Sequence, residues 1–287
     1  MIPSSLDLSN HRIDLRLVAV ENGLTLSALA ADDVAWLGAA PSALFSVTVD
    51  GRPHDATSLT LEQVTEDTST AGVRHIALAF SGPGFTVTAH LKAYADTALI
   101  EVWQEIRNRG DAPIRIKRID SLDLNLAPVD GSLFYYTGNW GSEFEPHRRR
   151  LEGSIRLESR SGRSSKGDHP WFALSNPAGH VLSASVAWSG NWALRFDPLA
   201  AGGWRLSGGV NDWAFFKDLA PGTAMQTAPV VLVLGPDLNT VSQAYARVGR
   251  QHWYPTTSVS AKVPVEWNHW WPYEDAEINE TVFAQNV

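Results

Sequence analysis

Between Phe85 and Lys92 the chain alternates without a break: Phe85, Val87, Ala89 and Leu91 are apolar, while Thr86, Thr88, His90 and Lys92 are polar or charged. Successive side chains on a strand point to opposite faces, so this period of two predicts a half-buried antiparallel strand. LIEVWQEIRNRGDAPIRIKRI carries strand-like runs on either side of Asn108, Arg109, Gly110 and Asp111, and reads as a hairpin. VTVDGRP, with Asp50 and Gly51 at its turn, reads as another. HVLSASVAW sets Leu182, Ala184, Val186 and Trp188 against small partners, and APVVLVLG is apolar enough for a strand buried on both faces. Many short strands with Gly, Asn and Asp turns, and no alternating helices, predict a mainly β, antiparallel sandwich.

The period changes from two to helical at about Val241 to Trp253, where Val241, Tyr245, Val248 and His252 share one stripe. Thr240 and Gln243 have the spacing of a capping box. YPTTSVSAKVP then reads as an extended linker, followed by the apolar run VPVEW and a segment with helical spacing at Ile278, Val282, Phe283 and Val287. Asn279 is the expected N-cap, and Glu280 suits the positive end of a helix. So short a helix is not self-supporting in water, and a strand feeding a helix is the opening unit of a parallel βα architecture. The ending therefore either docks on something or is a piece of a larger fold. The expected boundaries are a sandwich domain over 1–255, a linker over 256–262 and a strand-plus-helix segment over 263–287.

Composition narrows the chemistry. A formal net charge of -8 argues against nucleic acid and anionic membranes as partners, because either would call for clustered Lys and Arg. The basic run His147 to Leu151 lies beside Glu143, Glu145 and Glu152, which reads as a solvated strand face. With no cysteine, disulfides, thiolate nucleophiles and Cys-ligated zinc are excluded, and the histidines show no close pair at metal-ligand spacing, so no cofactor or metal is expected. No apolar stretch approaches bilayer length and the N-terminus lacks a signal pattern, so a cytoplasmic protein is expected. The 12 tryptophans stand out: clustered Trp recurs where flat sugar faces are stacked, although most single Trp residues are core or half-buried surface, so composition alone only suggests sugar binding.

Several stretches carry a resemblance. FYYTGNWGSEFEPHRRRLEGSIRLESRSGRSSKGDHPWFAL has Gly138 and Trp140, then Ser159, Arg160, Gly162, Ser164 and Ser165, then Pro170, Trp171, Phe172 and Leu174. This resembles the hairpin region in the N-terminal domain of glycoside hydrolase family 36, the α-galactosidases and their relatives. The turn Ser189 to Asn191 and the segment LAPGTAMQTAPVVLVLG are also similar to the family's. VEWNHWWPYEDAEINETVFAQNV resembles the first strand and helix of the family's (β/α)8 barrel, with Trp267, Trp270 and Trp271 as its Trp-x-x-Trp-aromatic motif. The resemblance implies an antiparallel β-supersandwich followed by the first βα unit of a truncated (β/α)8 barrel, which makes 263–287 the start of that barrel.

The same resemblance implies retaining hydrolysis of α-galactosides by two carboxylates about 5–5.5 Å apart, both on later barrel strands and so none in this chain. Glu274, Asp275 and Glu277 follow the Trp motif, but acids at a helix start explain them without catalysis. The implied substrate-binding residues are Trp270 and Trp271, at the C-terminal end of a barrel strand, and Trp140, which in relatives reaches toward the pocket; a half-exposed hairpin Trp explains Trp140 equally well. The expected partner is a carbohydrate, an α-galactoside in the full-length enzyme, and a homo-oligomer is open. The Asp-Phe-Arg triplet with which tetrameric members close a neighbour's pocket is replaced by LGAAPSALFSV. The second reading is a self-contained carbohydrate-binding or interaction domain with exposed Trp platforms.

Overall fold

A computed structural model describes residues 3–268, 270 and 278–286. Among them, ten strands form one antiparallel sheet, whose main path runs Ser142–Arg150, Ser132–Asn139, Gly167–Ser175, Val181–Val186, Val230–Gly235, Leu99–Asn108, Phe85–Tyr94, Val73–Gly82 and Thr60–Asp67. A seven-stranded antiparallel sheet has the main path Ile155–Glu158, Trp192–Pro198, Trp204–Val210, Ile114–Leu126, Leu44–Val49 and Arg52–Asp55. A smaller four-stranded sheet lies over Ser5–Ala35.

The expected sandwich forms because the alternating strands share a core. Phe85, Val87, Ala89 and Leu91 are all buried, and Val230–Gly235 is buried throughout, as its unbroken apolar run requires. Two edge-on aromatic pairs join the large sheets: Phe45 to Phe80 with ring centroids 5.5 Å apart, and Phe172 to Phe196 at 4.8 Å. Each such ring contributes about 1.5–3 kcal/mol by leaving water.

Asp50 and Gly51 make the expected two-residue turn, both with positive φ (49° and 78°), pairing Val49 with Arg52. Asn108 to Asp111, by contrast, does not close a hairpin. Leu99–Asn108 already has Phe85–Tyr94 on one edge and Val230–Gly235 with Ala224–Gln226 on the other. With no free edge to join, Ile114–Leu126 crosses to the seven-stranded sheet. The buried Asn108 side chain holds this corner, donating to the carbonyls of Ala112 (2.8 Å) and Leu219 (2.9 Å) and accepting from the Gly110 N–H (2.9 Å).

The predicted helix spans Leu238–Val248 and continues into a π-turn over Gly249–Trp253. Its cap is Asp237, whose Oδ1 accepts from the Thr240 N–H at 2.7 Å, rather than Thr240. Val241 and Ala244 are buried, and burial pushes the Tyr245 phenol up to about 12, against the Ser185 and Ser183 side chains.

The chain divides into two compact units, Met1–Ala246 and Arg247–Val287. Within the second, Asn279 caps Glu280–Asn286 as expected, its Oδ1 accepting from the Thr281 and Val282 N–H groups at 3.0 Å. Trp267 packs edge-on against Phe283 at 5.5 Å. Val263–Asn268 carries no strand pairing. A parallel strand exists only in a ladder with neighbours, so apolar composition alone does not make one here. Among the described residues no helix is long and apolar enough to cross a membrane.

Candidate functional site

Ser132–Asn139 and Ser142–Arg150 pair at the edge of the ten-stranded sheet, with Trp140 and Gly141 at the tip and Gly141 at φ 73°. Register slips near Thr137 bring Gly138 opposite Gly167 on the neighbouring strand. A side chain at Gly138 would place its Cβ 2.7 Å from His169 Nε2 and 3.1 Å from the Ser165 carbonyl oxygen, so the close approach requires glycine. The outer strand is exposed throughout, as its charged sequence and Pro146 predict for an edge. Its solvated basic run matches the expectation, with Arg150 paired to Asp130 at 2.9 Å. Two aromatics break the polarity: Trp140 is 86% exposed and Phe144 65%.

Residues 159–166 fold beside the hairpin tip, and the serine-rich motif explains the loop's shape. Ser159 Oγ donates to the Arg163 carbonyl at 2.5 Å, Gly162 at φ 71° donates its N–H to Asn191 Oδ1 at 2.7 Å, and buried Trp192 donates its indole N–H to the Ser164 carbonyl at 2.6 Å. Below it, Arg160 pairs with Glu158 at 2.7 Å, Glu158 with Arg156 at 2.6 Å, and Arg156 with Asp212 at 2.8 Å. Arg195 joins Asp212 to the fully buried Asp120 at 2.5 and 2.7 Å. Burial works against the Asp212 charge, but Arg195 and Arg156 prevail and hold its carboxyl at about 2.

Hairpin and loop enclose a cleft of about 560 Å³. Trp140 and Phe144 supply apolar surface; Arg163, Lys166 and Glu143 supply charge; His169 is at its base. Phe144 lies 4.6 Å from the His169 ring and edge-on to Tyr136 at 5.9 Å, and Tyr136 lies 5.7 Å from Trp171. Phe144 holds φ 57°, a conformation uncommon for a bulky residue. Burial keeps the His169 imidazole below the usual histidine range, against the Asp168 carboxylate, so the ring is neutral at neutral pH. Burial, reinforced by Glu158, raises Asp168 itself, although the Glu158 backbone N–H donates to it at 2.9 Å. A cleft with flat apolar faces and polar groups at the rim can hold a ligand that is apolar on one face and hydroxylated at its edges.

Of the three tryptophans expected at a site, Trp140 stands at this cleft. Trp270 lies in the second unit, 52% exposed, with its backbone N–H donating to Asn268 Oδ1 at 3.0 Å. Trp271, with Glu274, Asp275 and Glu277, lies outside the described residues. Phe144, Arg163, Lys166 and His169 were not anticipated. An aromatic flanked by Glu143 and Glu145 on an otherwise charged edge was the available signal for Phe144.

Residues 55–220 match the family model described as the Glycosyl hydrolase family 36 N-terminal domain. The chain is 29% identical over 194 residues to α-galactosidase AgaA of Geobacillus stearothermophilus, covering 65% of this chain and 27% of that protein. Crystal structures share the fold. α-Galactosidase AgaB of G. stearothermophilus superposes with a TM-score of 0.78 at 20% identity, covering 93% of this chain and 45% of that one. A variant of AgaA in complex with raffinose gives 0.74 at 21% identity, covering 88% and 43%. The chain spans about a quarter of the length of the curated relatives it matches.

Proposed function

This chain belongs to the glycosyl hydrolase family 36 N-terminal domain family, and from that premise we propose that it is the sandwich portion of an α-galactosidase-like retaining glycoside hydrolase acting on α-galactosides. One observation carries the reading: the family match over residues 55–220 contains both the Trp140 hairpin and the loop over 159–166, the two elements that build the cleft. The names of the relatives, and the raffinose bound to one of them, support α-galactosides as the substrate class.

On this reading residues 1–255 are the sandwich domain, 256–262 the linker, and 263–287 the opening strand and helix of the catalytic (β/α)8 barrel. Val263–Asn268 becomes a strand once neighbouring strands supply the parallel ladder, and the Asn279-capped helix follows it. The two carboxylates belong to other barrel strands, and this chain's share of the work is binding. Trp140 serves as a flat face at the cleft, and Trp270 and Trp271 are the residues proposed to bind substrate on the barrel side; a flat face excludes water and limits the orientations of a sugar, which lowers the entropic part of the barrier for the groups that perform the displacement.

The purified chain and the product of its full reading frame are assayed side by side with p-nitrophenyl α-galactoside. The expected result is no turnover above buffer from the chain and turnover from the full product. Turnover by the chain alone, or a full product inactive on α-galactosides, overturns the reading.

A further inference from the structure

The cleft at the Trp140 hairpin carries charge that a neutral sugar would leave unused. Arg163 and Lys166 both line it, and among the described residues neither side chain has an ion-pair or hydrogen-bond partner. Most of the other arginines near the cleft are engaged: Arg156, Arg160 and Arg195 all sit in carboxylate pairs. Two unpaired cations over a single lining carboxylate, Glu143, make a locally positive site in a chain whose formal net charge is -8.

A second feature points to a ligand independently. His169 is only 9% exposed, and its Nε2 is out of contact with water and without a partner. Gly138 lets its strand pass close over Nε2, since any side chain there would press on it. A buried polar atom is normally satisfied, and this one, closed off beneath the wall of the cleft, gains a partner when a small shift of that wall admits a ligand hydroxyl. The apolar faces of Trp140 and Phe144 beside it favour a ring.

We propose that this cleft is a subsite for a pyranose bearing an anionic group, a uronic carboxylate or a sulfate, with the ring against Trp140, the anion at Arg163 and Lys166, and a ring hydroxyl at His169 Nε2. This rests on the carbohydrate reading given above. Guanidinium and ammonium groups make charge-assisted bonds to such anions, and the planar fork of Arg163 fits either oxyanion.

The test is an NMR titration of the chain itself, following the Trp140 indole N–H, assigned by its loss in Trp140→Phe. Galactose, galacturonic acid and galactose 6-sulfate are the probes, and the two acids separate carboxylate from sulfate recognition. At least one acid should bind about tenfold tighter than galactose at low salt, with the advantage shrinking as added salt screens it. Arg163→Gln with Lys166→Gln should remove the advantage of the acid over galactose measured on the same variant, and Glu143→Gln should enlarge it. Equal binding of all three sugars, or a preference that survives the double substitution, overturns the anionic subsite and leaves the carbohydrate reading standing. No shift of the Trp140 indole with any sugar overturns the subsite and counts against a carbohydrate role for this cleft, a result that the turnover assay of the full reading frame does not depend on.

Discussion

Trp192, wholly buried between the sheets, donates its indole N–H to the carbonyl oxygen of Ser164 at 2.6 Å. One end of that bond is core and the other is the loop lining the cleft. The loop is thereby tied directly to the buried core of the sandwich. Trp192→Phe keeps most of the apolar volume but leaves the Ser164 carbonyl without its donor. The expected cost is about 1–3 kcal/mol in urea unfolding, with faster hydrogen exchange at the Gly162 N–H, which bonds to neighbouring Asn191. Unchanged exchange at Gly162 would show that the loop is held without Trp192.

His90 stacks on Trp103 with centroids 4.8 Å apart and its Nδ1 lies 3.0 Å from His75 Nε2. Burial first, then His75 and Lys92, push the His90 imidazole down to about 4, while Glu105 opposes the shift. A base whose folded pKa is depressed binds its proton more readily when unfolded. Its contribution is therefore fully present above about 6.5 and is lost as pH falls through that value toward 4. Stability should decline on acidification across this window, and His90→Gln should flatten the slope. Urea midpoints at several pH values check it; an equally steep decline in the variant would assign the slope elsewhere.

Arg195 links fully buried Asp120 to Asp212. Arg195→Met leaves the Asp120 carboxylate buried with Arg118 as its remaining ion-pair partner, at 2.7 Å. Breaking one side of a buried pair costs about 3–5 kcal/mol, much of it from the stranded charge. The double variant Arg195→Met with Asp120→Asn should regain a large part of that loss. Thermal unfolding of both decides it: a double variant no more stable than the single one would mean that packing around Arg195, not the charge, dominates.

What could be read from the sequence was what local chemistry decides. The alternation from Phe85 to Lys92, the Asp50–Gly51 turn and the continuous apolar run at Val230–Gly235 each specify their own burial. The corner at Asn108 could not be read that way. A hairpin turn and a passage between sheets look alike locally, and the difference lies in whether the first strand's edges are already occupied. Asp237 and Thr240 are both eligible caps three positions apart, and only the folded backbone selects Asp237. At the site, the motif exposed Trp140, whereas Phe144, Arg163, Lys166 and His169 come together only through the register of three strands and the loop over 159–166.

Phe144 offers the sharpest separation of stability from function. It is mostly exposed, so its ring gains little by burial, and it occupies φ 57°, where a non-glycine residue costs about 1–2 kcal/mol. Strain of this kind persists where the surroundings or the function require it. Asparagine tolerates the left-handed region far better than phenylalanine. Phe144→Asn should therefore leave stability unchanged or raise it by up to about 1 kcal/mol, while removing the apolar face beside His169. If the cleft binds a sugar ring, the same substitution should weaken that binding, seen as a smaller shift of the Trp140 indole at a given sugar concentration. A loss of stability with binding intact would instead make Phe144 a packing residue of the hairpin, held in place by its contacts with Tyr136 and His169.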